Sequence, residues 1–224
     1  MSQSKSTKHT RVNDILLGPL ERPALQWLCA HAPGWMSPDI LTLIGIFGSV
    51  VIFAGYVLTN VNLAFLWLAT LGYVINWYGD SLDGSLARYR KIERPKYGFF
   101  VDHTVDAFSQ LLIFVGLGLS PIISFEVASL ALIGYLLLTV YVYVNTYVTG
   151  VFKISYGKFG PTEMRAIAII ANVVFFIWAS PTIELWFGTV SVYDIFILAI
   201  AAILITLFIY SVAKRASELA NIGE

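Results

Sequence analysis

Six stretches of apolar residues, each long enough to cross a bilayer, dominate the chain and leave few architectures open to it. A hydrocarbon core about 30 Å thick needs roughly 20 apolar residues per helix. Stretches that meet this requirement run from Asp39 to Thr59, Asn62 to Arg88, Tyr97 to Leu119, Val127 to Gly150, Glu163 to Ser180 and Val192 to Ala213. They are continuous, unlike the alternating segments of a membrane β-barrel, and a helix satisfies all its backbone groups within itself. The expected fold class is therefore an all-α integral membrane protein with six transmembrane helices. Composition agrees: 12% of the 224 residues are charged and 58% are hydrophobic, whereas soluble domains carry about 25% charged residues.

Several function classes drop out at once. The aromatic content of 15% argues against disorder. Fourteen Lys and Arg balance fourteen Asp and Glu, so no basic field is available for a nucleic acid. Cys29 is the single cysteine, which excludes an intrachain disulfide scaffold.

With six spans, the polar segments alternate between two sides of the membrane. One side receives Lys5, Lys8, Arg11 and Arg22, the run Arg88, Arg90, Lys91, Arg94 and Lys96, then Lys153, Lys158 and Arg165, and finally Lys214 and Arg215. These are all the basic residues of the chain. The other side, around Asn60, Pro121 and Pro181 to Ser191, has none. The positive-inside rule then makes both termini cytoplasmic in a multi-pass protein.

Residues 15–35 mix Leu and Ile with Trp27, Cys29 and Trp35 and with Asp14, Glu21 and Arg22, and Pro19, Pro23 and Pro33 interrupt any full span. This pattern predicts an amphipathic helix lying on the cytoplasmic leaflet. The polar tail before it has no cleavable apolar region, so no secretory signal is expected. The expected layout is an N-terminal tail and interfacial helix over residues 1–36, a six-helix membrane catalytic domain over 37–217, and a cytoplasmic C-terminal tail over 218–224.

The acidic residues are distributed unevenly. On the cytoplasmic halves of the second and third spans, Asp80 and Asp83 stand three apart and Asp102 and Asp106 four apart. Each pair thus occupies one face of its own helix. The connection between the spans is short, so the two helices are expected to be antiparallel neighbours that bring all four carboxylates together. A central Asp costs about 2.5–3.5 kcal/mol on insertion scales, so four uncompensated ones cost on the order of 10 kcal/mol, less near the interface. Solvated charges at helix ends are the plainer explanation, but four aspartates with Gly84 and Gly98 at the same depth favour bound divalent cations, for which carboxylates are preferred ligands. Gly84 and Ala87 suggest a close approach of a helix or of a ligand's phosphates, and Arg88 can clamp a phosphate.

Asp80-x2-Asp83-Gly84-x2-Ala87-Arg88, followed by Gly98-x3-Asp102-x3-Asp106, resembles the signature of the CDP-alcohol phosphotransferase (phosphatidyltransferase) family. Nine residues separate Arg88 from Gly98, slightly more than the family pattern leads one to expect. The segment Pro38-Asp39-x2-Thr42 before the first span is similar to the family's Pro-Asn-x-x-Thr, with Asp in place of Asn.

The resemblance implies transfer of a substituted phosphate from a CDP-linked alcohol to an alcohol or lipid hydroxyl with release of CMP, in phospholipid biosynthesis. It implies two divalent ions, Mg²⁺ or Mn²⁺, held by Asp80, Asp83, Asp102 and Asp106, with Asp106 as general base. It also implies CDP binding at Asp80, Asp83, Gly84, Ala87, Arg88 and Gly98, and a homodimer.

Other polar residues carry weaker signals. His103 beside Asp102 is either an acceptor contact or a supporting group behind the carboxylates. Lys153, Glu163 and Arg165 lie in a polar stretch that either binds the acceptor or is an ordinary basic loop. Trp77 and Tyr78 read more readily as packing than as a lipid groove, and Glu126, Glu184 and Asp194 as solvated.

Two rival functions share parts of this pattern. Membrane prenyltransferases that use polyprenyl diphosphates also hold metals with paired acidic motifs, and Asn76-x3-Asp80-x2-Asp83 is faintly similar to one of these; that fold needs more spans than this chain offers. A divalent-cation transporter would continue its acidic residues across the membrane, and here the outer halves of the spans have almost none.

Overall fold

A computed structural model describes residues 16–150, 160–178, 181–185 and 188–222. Its helices are α1 (Gly18–His31), α2 (Pro38–Leu58), α3 (Leu66–Tyr89), α4 (Pro95–Gly118), α5 (Phe125–Thr149), α6 (Pro161–Trp178) and α7 (Val192–Ile222). Five of them, α2, α4, α5, α6 and α7, are long and apolar enough to cross a membrane. α3 is as long as α4, at 24 residues, but its second half carries Asn76, Asp80, Asp83 and Arg88, which lowers its hydropathy.

Local chemistry sets the helix ends. The Ser37 hydroxyl caps α2 by accepting the Ile40 N–H at 3.2 Å, Pro38 takes the first helical position and Asp39 lies in the first turn, an arrangement suited to a helix N-terminus. α3 ends where Lys91 adopts φ 57°. The Lys91 N–H donates to Arg88 O (3.1 Å) and the Ile92 N–H to Ala87 O (3.0 Å), the reciprocal pair of a Schellman motif. Pro95 then starts α4, so the chain turns back within a few residues.

The α2–α3 pair is packed backbone to backbone. A Cβ on Gly79 would lie 2.2 Å from Gly45 N, and one on Gly48 would lie 2.4 Å from Asn76 N. Small residues permit this approach where no hydrophobic force drives helices together. α4 also packs extensively on α2, whereas α3 and α4 make little direct contact. The two aspartate-bearing helices are therefore not packed neighbours, as their short connection suggests; each leans on α2 and a cleft remains between them. Gly79→Val is expected to force α2 and α3 apart and destabilise the fold by about 3 kcal/mol or more, the upper end for overpacking. Thermal unfolding in detergent reads this out, with Gly34→Val, whose Cβ meets nothing within 4 Å, as the silent comparison.

α1 is tied to the same end of the bundle. Arg90 at the end of α3 donates to Ala32 O and Pro33 O, both at 3.0 Å, and to Met36 O. Glu21 accepts from Trp77 Nε1 (2.9 Å) and from the Thr162 hydroxyl (2.8 Å), linking α1 to α3 and α6. Cys29, Met36, Leu41, Leu82 and Leu86 form the core beneath α1. Leu20 and Trp27 on α1 stay exposed. Trp77, and Tyr78 through its hydroxyl contact to Met36 Sδ, thus serve packing.

The opposite end departs from the all-α expectation. β1 (Thr182–Leu185) and β2 (Gly188–Ser191) form an antiparallel hairpin, pairing Ile183 with Val190 and Glu184 with Thr189. Its β-branched residues suit a strand, but four-residue strands are too short to stand out in an otherwise helical pattern. Asp194, expected to be merely solvated, accepts the Ser124 N–H (2.8 Å) and hydroxyl (3.1 Å) and so ties the starts of α5 and α7 together. α7 continues to Ile222, beyond the expected Ala213. Its 31 residues rise about 46 Å, more than a bilayer core needs.

Candidate active site

The cleft between α3 and α4 is lined by Thr42 and Gly45 of α2, Asn76, Asp80 and Asp83 of α3, and Asp102, Val105 and Ser109 of α4. Asn76, Asp80 and Asp83 follow one another at four- and three-residue spacing and so share one helical face. Asp80, Asp83 and Asp102 line the cleft, and Asp106, one turn along α4 from Asp102, offers a ligand atom close to that of Asp102. The convergence expected from the sequence is present, with α2 as the floor that makes it possible.

Three of the carboxylates have different partners. Asp83 Oδ2 accepts the Thr42 hydroxyl at 2.7 Å, and its Oδ1 accepts the N–H of Gly84. Asp80 Oδ2 accepts Arg165 Nη2 in a largely buried ion pair. Asp102 Oδ2 lies 3.4 Å from His103 Nδ1. The His103 ring is stacked on Tyr143 (centroids 5.1 Å apart, planes at 16°) and meets the edge of Phe99 at 4.2 Å.

This donor set fits a divalent cation. Asp102, His103 and Asp106 offer ligand atoms that all lie within 4.8 Å of one another, and the carboxylates of α3 face them. Carboxylate oxygens suit Mg²⁺ and Mn²⁺, and four acidic groups against one buried guanidinium leave an excess of negative charge for ions to neutralise.

The other residues expected to bind CDP lie where α3 ends and α4 begins. Arg88 folds back over Gly84, so that a Cβ on Gly84 would lie 3.3 Å from Arg88 Nη1, and Arg88 Nη2 donates to Ser85 Oγ at 3.2 Å. Ala87 is half-buried on the same turn. Gly98 lies in the first turn of α4 with open space where a Cβ would stand.

The possible acceptor contacts divide. Lys153 lies outside the described residues. Glu163 is buried and spends both oxygens on backbone, Oε1 on the Leu17 N–H (2.7 Å) and Oε2 on the Gly160 N–H (2.9 Å). It caps α6 and anchors the start of α1. Arg165 reaches the cleft from α6, and His103 is braced by the two rings. The sequence reading assigned no role to the Thr42 hydroxyl, although the segment similar to the family's Pro-Asn-x-x-Thr contains it. Asn76 enters the sequence pattern only through the faint likeness to a prenyltransferase motif, although its four-residue spacing from Asp80 puts it on the same face; the link from Arg165 to Asp80, 85 residues apart, leaves no local trace.

The sequence model for CDP-alcohol phosphatidyltransferases matches residues 35–209. The chain belongs to this family. All four aspartates and the α2 floor lie inside the matched segment. Among its relatives, mouse cholinephosphotransferase 1 is 25% identical over 196 residues, covering 84% of this chain and 48% of the mouse protein. The archaetidylinositol phosphate synthase of Pyrococcus horikoshii is 33% identical over 99 residues, covering 44% of this chain and 50% of its own. The chain spans about half the length of these curated relatives. The crystal structure of Mycobacterium tuberculosis phosphatidylinositol phosphate synthase with CDP-DAG bound superposes with a TM-score of 0.56 at 19% identity, covering 87% of this chain and 92% of that one. At that identity the likeness establishes a shared fold.

Proposed function

We propose that this family member is a membrane enzyme that moves a substituted phosphate from a CDP-linked alcohol to an acceptor hydroxyl, releasing CMP, in phospholipid synthesis. The observation that carries the reading is the placement of Asp80, Asp83 and Asp102 from two helices in one cleft floored by α2, with Asp106 grouped beside Asp102. Two divalent ions, Mg²⁺ or Mn²⁺, held by these aspartates would offset the charge of the donor's diphosphate and of the departing CMP phosphate. Thr42 fixes Asp83, and Arg165 with Asn76 fixes Asp80, so both carboxylates face the cleft before any ligand arrives. The acceptor oxygen bonds to the β-phosphorus, its proton passes to the Asp106 carboxylate, and the bond from that phosphorus to the CMP oxygen breaks. A base must reach the proton it removes, and Asp106 lies one turn deeper on α4 than Asp102.

In this reading α3 is the sixth span and α1 lies on the cytoplasmic surface with Leu20 and Trp27 in the lipid headgroups. Both termini and the cleft mouth are cytoplasmic, and the working unit is a homodimer. The catalytic domain is residues 37–217, preceded by the interfacial helix, and α7 continues past it to Ile222. Gly84, Ala87, Arg88 and Gly98 receive the CDP moiety, and His103, on the turn that carries Asp102, is the acceptor contact.

The names of the relatives suggest two donor types: CDP-diacylglycerol with a polar acceptor, or a CDP-linked head group such as CDP-choline or CDP-ethanolamine with a lipid acceptor. Purified protein in Mg²⁺, offered each donor with a panel of acceptors and read by CMP release, is expected to turn over with one type. No CMP from any donor, with Mn²⁺ uptake into liposomes instead, would replace the enzyme by a transporter.

Gly98 gives a second test. Ala there meets open space and is the better helix former by about 1 kcal/mol, so the fold should be unharmed. A methyl in the path of the nucleotide should raise the KM for the donor about tenfold or more, as steady-state kinetics would show.

A further inference from the structure

Arg165 is the point at which α6 enters the carboxylate cleft. Its Nε donates to Asn76 Oδ1 at 2.8 Å and its Nη2 is ion-paired with Asp80 Oδ2. Asn76 is itself fixed, donating to Gly45 O and Ser49 Oγ, both at 3.0 Å. The guanidinium is therefore clamped to the α2–α3 pair and not free to swing away. Its Nη1 is buried without a hydrogen-bond partner among the described residues, so the side chain does not complete a closed polar network. Asp106 and Glu21 also lie within electrostatic reach of it. The sequence suggests an acceptor contact for this residue, yet its placement puts a fixed positive charge against the carboxylates.

We infer that Arg165 is the resident counter-ion of the cleft: it holds Asp80 and offsets its charge while no divalent ion is bound, and it weakens the grip of the filled cleft on its ions. The physical basis is twofold. A buried carboxylate deprived of its partner is strongly destabilising. A guanidinium beside a divalent cation repels it, and in a partly buried site that repulsion is poorly screened. Such a counter-ion keeps the empty site folded and lets ions leave with product. The inference rests on the reading that the aspartates hold divalent ions.

The test compares the wild type with R165M and with the double variant D80N/R165M, in detergent. In EDTA, R165M is expected to unfold on the order of 10 °C below wild type. The double variant, which removes the orphaned carboxylate, is expected to recover most of that loss. Saturating Mn²⁺ should close the gap between R165M and wild type, and Mn²⁺ titration followed by electron paramagnetic resonance should show R165M binding several-fold more tightly. An equal loss with and without Mn²⁺, no recovery in the double variant, or weaker Mn²⁺ binding by R165M would each overturn the inference. If R165M does not fold in EDTA, a folded double variant still supports the counter-ion role and an unfolded one overturns it. If the wild type binds no Mn²⁺, the metal reading fails, while the comparison in EDTA still decides whether Arg165 neutralises Asp80.

Discussion

Asp106→Asn is expected to lower CMP release by about 10²–10⁴-fold, the usual contribution of a general base, while the CDP-linked donor still binds. The substitution keeps shape and volume and removes the ability to accept a proton. Asp80, Asp83 and Asp102 remain on the walls of the cleft, and Thr42 and Arg165 still hold two of them, so the donor side of the cleft should survive. Steady-state turnover together with calorimetric titration of the donor separates the two effects. Normal turnover would move the base elsewhere; loss of donor binding together with turnover would make Asp106 a ligand-holding residue first.

The second large effect is that of divalent ions. Chelation with EDTA should stop turnover and restoration of Mg²⁺ or Mn²⁺ should recover it, with a change of three orders of magnitude or more, roughly what a Lewis-acid contribution of several kcal/mol supplies. The four carboxylates also repel one another across the cleft, and ions relieve that repulsion. Thermal stability should therefore rise with Mg²⁺ in the wild type and much less in Asp83→Asn or Asp102→Asn. Turnover that persists through exhaustive chelation would contradict the role assigned to the cluster.

How much of this was legible in the chain depends on whether the signal was local. Hydropathy is local, and the six apolar stretches anticipate the six long helices to within a few residues at most ends. The aspartate pairs are local as well, because three- and four-residue spacing places both members on one face whatever surrounds the helix. The α2 floor was not legible: the close approach of Gly45 to Gly79 and of Gly48 to Asn76 depends on two helices finding their register. Without it the short α3–α4 connection suggests direct packing where there is a cleft. Arg165 illustrates the same limit. Near the start of the fifth span it reads either as an acceptor contact or as one more positive-inside charge, and only the docking of α6 on α3 brings it to Asp80. Glu163, two residues before it, goes the other way and proves to be a cap on backbone N–H groups. The hairpin between α6 and α7 was missed because four-residue strands barely register beside eighteen-residue helices.

The most direct test is a crystal structure of the protein grown with Mn²⁺ and a CDP-linked donor, with anomalous scattering used to find the manganese. The account predicts anomalous peaks between α3 and α4 within coordination distance of Asp80, Asp83, Asp102 and Asp106, with the donor's diphosphate beside them and the nucleotide at Gly84 and Gly98. A donor bound elsewhere, or manganese absent from this cleft while the donor is in place, would contradict it.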